Sequence, residues 1–202
     1  MLSVARRPVG ALSGVCAWCS GNARARVVPE ATGVVIEPGI GKGRNLPLYD
    51  PHKVTVVHGV DPDAASLGQA ERKADGVRLE LHQSIAEDLP FDTASADTVV
   101  LTYTVCALGD VQRALSEVRR VLKPSGRLLF CEHGRSHDRP VARMQDRLDG
   151  FWTRYGGGCH LNRDVAALLG EGGFRITWLE TFYANRALPA LTFHYTGAAV
   201  PA

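Results

Sequence analysis

The sequence lacks three features that would point to particular classes of protein: a long apolar run, an excess of one charge, and cysteines at regular spacing. Its 202 residues carry a net charge of only +2, with lysine and arginine scattered among acids, which argues against a nucleic-acid partner. No stretch reaches the ~20 apolar residues that cross a bilayer, so we expect no membrane association. The composition favours one globular domain with a small molecule or a protein as its partner.

Cysteine is scarce and irregular, since the chain has five, an odd number without the spacing of a disulfide scaffold. This usage indicates the reducing cytoplasm. Cys16 and Cys19 form a CxxC pair, but no second pair matches them, and we interpret them as two unlinked thiols. Cys159 and His160 adjoin, yet no further cysteine or histidine follows at a zinc-like spacing, so we predict no metal site.

The first 28 residues carry only weak signals. Arg6 and Arg7 precede a mildly apolar stretch, 9–19, but glycines dilute this stretch and no convincing cleavage site follows it. We predict an N-terminal lead over residues 1–28, either flexible or partly covering the ligand site, and one folded domain over 29–202.

Short β-rich runs alternate with helical stretches from residue 33 onwards. The predicted strands are 33–37, 54–61, 77–82, 97–103, 127–132, 175–181 and 191–197, and the predicted helices are 64–74, 111–122 and 164–171. Residues 123–126 are expected to form a turn after the second helix, and the polar stretch 133–147 predicts no element. This rhythm is typical of a single-domain, doubly wound α/β fold, with a mostly parallel seven-stranded sheet and helices on both faces.

The turn after the first strand holds Gly39, Gly41 and Gly43 at alternate positions, beginning two residues after Glu37. Glycine adopts positive φ and lets the backbone approach a ligand closely. The spacing is GxGxG, not the GxGxxG of dinucleotide binders, which disfavours a nicotinamide-dependent oxidoreductase. Asp61 ends the second strand, where an acid can accept both hydroxyls of a ribose.

Five motifs follow one another over roughly residues 33–132. They are Glu37-x-Gly39-x-Gly41-x-Gly43, Asp61, Ala86-Glu87-Asp88-Leu89-Pro90-Phe91, Asp97-x-Val99 and Arg120-Val121-Leu122-Lys123-Pro124-Ser125-Gly126. The ordered set resembles the motifs of class I S-adenosylmethionine-dependent methyltransferases. The resemblance implies the Rossmann-like methyltransferase fold, S-adenosylmethionine as cofactor, and methyl transfer to a small-molecule acceptor.

The same resemblance implies the roles of individual residues. Glu37 and the glycines would hold the amino-acid end of the cofactor, Asp61 would hold the ribose, and Pro62 would lie beside the adenine. Many relatives carry an aspartate where this chain has Ile85, so Glu87 or the backbone near Ala86 would meet the adenine amino group instead. The expected cofactor-binding residues are Glu37, Gly39, Gly41, Gly43, Asp61, Pro62, Ala86, Glu87 and Thr102.

The methyl acceptor is expected beside the loops that follow the fourth and fifth strands. Glu132-His133 together with Gly158-Cys159-x-Leu161-x-Arg163 resembles a narrower group, the methyltransferase-like 7 proteins and their bacterial relatives. That resemblance implies a thiol or a phospholipid acceptor. Our hypothesis is that His133 is the catalytic base or orients the acceptor, with His160 as the second candidate.

Several neighbours of these histidines also have structural explanations. Asn162 is expected to cap the following helix, and Arg163 to pair with a nearby carboxylate. Trp152 and Tyr155 fit a position in the core at least as well as contact with a substrate.

Ionisation cost ranks the acceptors. A thiol with a pKa of ~8.5 costs about 2 kcal/mol to ionise at pH 7, whereas an amine with a pKa of ~10.4 costs nearer 5 kcal/mol. A thiol is therefore the favoured acceptor. A phospholipid or amine N-methyltransferase, and a non-catalytic protein that binds S-adenosylmethionine, stay open as alternatives.

Overall fold

The computed structural model describes residues 23–73 and 76–202. The CxxC pair Cys16 and Cys19, the stretch 9–19 and most of the predicted lead lie outside the described residues. The described end of that lead is packed, since Ala23, Val27 and Val28 are fully buried.

Among the described residues, seven strands form one sheet in the order β3-β2-β1-β4-β5-β7-β6. The strands are β1 (Gly33–Pro38), β2 (Val54–Val60), β3 (Leu79–His82), β4 (Ala96–Thr102), β5 (Leu122–His133), β6 (Phe174–Tyr183) and β7 (Phe193–Pro201). The strands β1 to β5 pair in parallel, while β7 is antiparallel to both β5 and β6. The predicted mostly parallel, doubly wound α/β sheet is confirmed.

Four α-helices lie in the described ranges: α1 (Ala64–Glu71), α2 (Val111–Val121), α3 (Arg139–Tyr155) and α4 (Val165–Glu171). Asp63 and Asp110 cap α1 and α2, because their carboxylates accept hydrogen bonds from backbone N–H groups of the first turn. Three short 3-10 helices cover Val28–Glu30, Leu46–Leu48 and Pro189–Leu191.

Helix α3 occupies residues for which the sequence predicts no element. Its buried residues are Ala142, Gln145 and Trp152, too few for an apolar periodicity to stand out. The predicted turn at 123–126 is also wrong, since these residues belong to β5, which starts directly at the end of α2. Leu122 pairs with Ala96 and Arg127 with Thr98, so the residues between them bulge from the ladder.

Two predicted side-chain roles before α4 are wrong. Asp164, not Asn162, caps α4, because Asp164 Oδ1 accepts from Ala167 N at 3.1 Å. Asn162 instead donates to Asp146 Oδ1 at 3.2 Å. Arg163 pairs with no carboxylate among the described contacts and donates to the backbone carbonyls of Val105 and Leu108.

Apolar layers cover both faces of the sheet. Val99 belongs to the layer that includes α2 and α4, whereas Val100 belongs to the layer that includes α1 and residues 23–31. Both valines are fully buried, so the centre of β4 has no exposed face. Burial on both faces fixes the central strands rigidly, which leaves their carboxyl ends and loops as the place for a ligand site.

We expect Asp164→Ala to lower the free energy of unfolding by about 1 kcal/mol, because it removes the acceptor for an otherwise unpaired N–H in the first turn of α4. Asn162→Ala is the matched control and should change stability by less than about half of that. Urea unfolding followed by circular dichroism measures both. Equal losses in the two variants would contradict the assignment of the cap to Asp164.

Candidate functional site

The glycine-rich loop leaves β1 with Gly39, Gly41 and Gly43 at φ of 75°, 54° and 66°, in the left-handed region. A Cβ on Gly39 would lie 2.6 Å from Thr104 Oγ1, and a Cβ on Gly43 would lie 2.7 Å from Leu46 Cδ1. A Cβ on Gly41 would meet no atom nearer than 3.9 Å. Packing therefore requires glycine at the two outer positions, while at Gly41 only the positive φ favours it.

Asp61 ties the glycine loop to the end of β2. Its Oδ2 accepts from Gly41 N at 2.9 Å, and its Oδ1 accepts from Asp63 N at 2.9 Å. Burial raises the pKa of the Asp61 carboxyl, while these two N–H groups act in the opposite direction. Each carboxylate oxygen has a second lone pair, so Asp61 is held in place and can still accept hydrogen bonds from a ligand.

Glu37 is buried at the end of β1. Its Oε1 accepts from Asn45 Nδ2 at 2.9 Å and its Oε2 accepts from Tyr49 OH at 2.6 Å. Burial raises the pKa of Glu37 to about 7, although Tyr49, Arg24 and Asn45 each lower it. Any further cationic group nearby would therefore stabilise the ionised form of Glu37.

Arg24 supplies the positive charge at this end of the site. It donates to Thr102 Oγ1 at 2.6 Å and to Asn45 Oδ1 at 2.9 Å, and its guanidinium lies 4.7 Å from the centre of the Tyr103 ring. The Arg24 Nε is buried without a hydrogen-bond partner. Sequence reasoning missed Arg24 because a single arginine in a lead without motifs carries no signal.

The residues expected near an adenine lie along the loop after β3. Ala86 is buried, whereas Ile85 is 42% exposed. Glu87 Oε1 accepts from Asp110 N at 3.4 Å, so its carboxylate is directed toward the start of α2. Pro62 O accepts from Gln83 Nε2 at 3.2 Å, which joins the turn after β2 to the same loop.

A buried carboxylate organises the loop after β4. Glu132 Oε1 accepts from Thr104 N at 2.8 Å and from Val105 N at 3.0 Å, and Glu132 Oε2 accepts from Cys106 N at 3.2 Å. Burial raises the pKa of Glu132 to about 7, although the hydrogen bonds from these three N–H groups each lower it. Tyr103 enters the loop with φ of 55°, a conformation that side chains other than glycine rarely adopt.

His133, at the end of β5, lies in a buried cluster with two thiols. Its Nδ1 is 3.5 Å from Cys159 Sγ, and the ligating atoms of Cys106, His133 and Cys159 all lie within 4.8 Å of one another. Burial, His194 and Arg24 hold the pKa of His133 well below its usual value, so the imidazole is neutral at pH 7. Its Nε2 is buried without a partner.

His160 occupies a different environment from that of His133. Its Nδ1 lies 2.8 Å from Asp149 Oδ2, and its backbone N donates to Cys106 O at 2.7 Å. A cavity of about 510 Å³ is lined by Asp149, Thr153 and His160 among others, with no residue from the glycine loop. Near the end of α3, Trp152 is buried, whereas Tyr155 is 45% exposed and is not part of the core.

A family model described as a methyltransferase domain matches residues 36–130. Phosphatidylethanolamine N-methyltransferase of Cereibacter sphaeroides is 33% identical over 61% of this chain and 62% of its own length. Thiol S-methyltransferase TMT1B of Rattus norvegicus is 34% identical over 72% of this chain and 62% of its own length. The chain thus spans less than two thirds of the length of these relatives.

Solved structures share the fold. A putative S-adenosylmethionine-dependent methyltransferase of Listeria monocytogenes superposes with a TM-score of 0.70 at 17% identity, covering 92% of this chain and 99% of that one. The YcgJ protein of Bacillus subtilis superposes with a TM-score of 0.63 at 18% identity, covering 89% of this chain and 95% of that one. In the described ranges, no helix combines the length and the apolar character that a membrane crossing needs.

The two buried glutamates predict a pH dependence of stability. Glu37 and Glu132 have pKa values of about 7 in the folded protein against an ordinary value of 4.5, so the folded state binds more protons than the unfolded state up to about pH 7. Their contribution is fully present below about pH 4.5 and is lost progressively as the pH rises from there through 7. His133 and His194, whose pKa values are lowered, act in the opposite direction below about pH 6.5.

We therefore expect the free energy of unfolding to fall by roughly 1 kcal/mol per glutamate between pH 6.5 and pH 8. Urea unfolding at the two pH values measures the fall. Glu132→Gln should show a fall smaller by about that amount, and the exposed substitution Glu180→Gln should leave it unchanged. An identical fall in wild type and Glu132→Gln would rule out the raised pKa of Glu132.

Proposed function

We propose that the chain is a class I S-adenosylmethionine-dependent methyltransferase that transfers a methyl group to a small-molecule acceptor, with a thiol as the favoured acceptor. The match of residues 36–130 to a methyltransferase domain and the methyltransferase relatives support this proposal. The observation that carries the proposal is the bond between Asp61 and Gly41 N. It places an oriented carboxylate beside a glycine loop at the carboxyl ends of parallel strands, where ligands of this sheet type bind.

The residues present fit this cofactor. Arg24, with its unpartnered buried Nε, and Glu37 offer opposite charges for the carboxylate and the ammonium of an amino acid. Asp61 offers carboxylate oxygens to ribose hydroxyls, and no atom crowds the Cα of Gly41, so a ligand can approach the backbone there. Because Glu87 is directed toward Asp110, we assign the adenine edge to the backbone near Ala86. Thr102 acts through its hydroxyl, which positions Arg24.

When bound, S-adenosylmethionine supplies a methyl group on a sulfonium that is already activated for displacement. The task of this chain is then to position the acceptor, and alignment of two reactants contributes up to ~7–11 kcal/mol. Glu132 holds the loop of Thr104 to Cys106 that borders the acceptor side, so it is a positioning residue.

The two histidines have different capacities. Burial makes protonation of His133 costly, so we assign it to orient the acceptor as a neutral hydrogen-bonding group. His160 Nδ1 contacts Asp149 Oδ2, which orients the ring, so we assign His160 to accept the proton of the acceptor. A thiol suits this pair, because its ionisation at pH 7 costs only about 2 kcal/mol.

The names of the relatives support two acceptor classes. The rat relative is a thiol S-methyltransferase and the Cereibacter relative acts on phosphatidylethanolamine, by their names.

The described cysteines Cys106, Cys131 and Cys159 are thiols, which supports a cytoplasmic location for the reaction. We propose no nucleic-acid partner, since the net charge is only +2.

We expect Asp61→Ala to weaken S-adenosylmethionine binding by roughly 10- to 150-fold, because it removes a charge-assisted contact of about 1.5–3 kcal/mol. Calorimetric titration measures binding, and release of S-adenosylhomocysteine with a small alkyl thiol measures turnover. Asp92→Ala, an exposed aspartate outside the site, is the matched control. Unchanged binding in Asp61→Ala would refute the cofactor site. Intact binding with product only from phosphatidylethanolamine vesicles would replace the thiol by a lipid amine.

We expect His160→Gln to lower kcat with the thiol by roughly 100-fold or more, because the variant cannot accept the proton, while binding of S-adenosylmethionine stays unchanged. His133→Gln should raise KM for the thiol more than it lowers kcat. His52→Gln, at an exposed position outside the site, is the control. If His160→Gln has the same kcat as wild type between pH 6 and 9, His160 does not accept the proton.

A further inference from the structure

A second cluster of metal-ligating side chains lies at the edge of the sheet, between β2 and β3. His58 pairs with Glu80 in the parallel ladder, and Val60 pairs with His82, so the three polar side chains point to the same face. None of them has a role in the site described above. Each is only partly buried, so an ion can reach them from solvent.

The distances in this cluster match the edges of a metal coordination shell. His58 Nδ1 lies 3.2 Å from His82 Nε2 and 3.4 Å from Glu80 Oε2. Ligands at about 2.0–2.1 Å from a tetrahedral zinc ion are about 3.3–3.4 Å apart. His58 Nδ1 thus faces both an imidazole nitrogen and a carboxylate oxygen, and a cation among these three atoms would accept a lone pair from each.

The surroundings hold the three ligands in this arrangement. Arg78 donates to the other carboxylate oxygen of Glu80 at 2.5 Å, and the Phe91 ring contacts the rings of His58 and His82 at 5.2 and 4.9 Å between centroids. Such outer contacts orient ligands in metal sites.

We propose that His58, Glu80 and His82 bind a divalent transition metal ion of the class of zinc or cobalt. Two imidazoles and one carboxylate are a ligand set for such ions, and the remaining positions are open to water. The proposal is independent of the methyl transfer. It concerns the ends of β2 and β3, where Asp61 N donates to His82 O at 3.2 Å.

An ion at this position would fasten β3 to β2. Strand β3 has only four residues and lies at the edge of the sheet, where it pairs with β2 alone. A ligand that binds only the folded state stabilises that state in proportion to its concentration. We therefore expect the melting temperature of the full chain to rise as zinc is added.

The test uses the full chain after treatment with a chelator and its removal. Zinc titrated by calorimetry should bind at one site, and cobalt should develop visible d–d absorption. His82→Ala and Glu80→Gln should each weaken zinc binding by tenfold or more and abolish the shift in melting temperature. His52→Ala, which removes an exposed histidine outside the cluster, should bind zinc as wild type does. Circular dichroism of the metal-free variants shows that they are folded.

Two results would overturn the proposal. One is zinc affinity in folded His82→Ala equal to that of wild type. The other is a cobalt spectrum dominated by thiolate charge transfer that Cys159→Ala removes, since this would place the ion in the buried cluster of Cys106, His133 and Cys159 instead.

Discussion

The site depends on the buried carboxylate of Glu132 and the three backbone N–H groups that it binds. These N–H groups belong to the loop that leaves β4, and no strand or helix partner is available to them there. A carboxylate from the neighbouring strand β5 replaces that partner and forces the loop into one conformation. Thr104, which this loop places against Gly39, then limits the path of the glycine turn. One carboxylate therefore connects the proposed acceptor side with the proposed cofactor side.

The order of strands explains why residues distant in sequence converge. Strands β1, β4 and β5 are neighbours at the centre, so Glu37, Thr102 and His133 end at one edge of the sheet. Arg24 reaches this edge from outside the sheet and binds Thr102 and Asn45. The carboxylate of Glu37 and the guanidinium of Arg24 thus provide opposite charges in a region from which water is largely excluded. There, electrostatic interactions with a zwitterionic ligand are stronger than they would be at the surface.

The architecture could be predicted from sequence because apolar runs, caps and glycines act locally. The strand β4 and the cap Asp110 are examples, since each follows from a few neighbouring residues. The polar helix α3 could not be predicted, because it buries only three residues. The approach of Cys106, His133 and Cys159 also has no sequence signal, since it depends on tertiary packing. Asn162 and Asp164 are equally good caps by residue type, and only the position of the chain distinguishes them.

The position of β7 has a consequence for how the chain is made. Strand β7 follows β6 in sequence but lies between β5 and β6 in the sheet. During synthesis, β5 therefore leaves the ribosome with one edge unpaired and β6 has no strand partner until β7 is translated. Nascent chains that stall before residue 193 would expose these strand edges to other chains. The demand on chaperones is thus expected to be greatest late in translation, after the glycine loop and its surrounding strands are already in place.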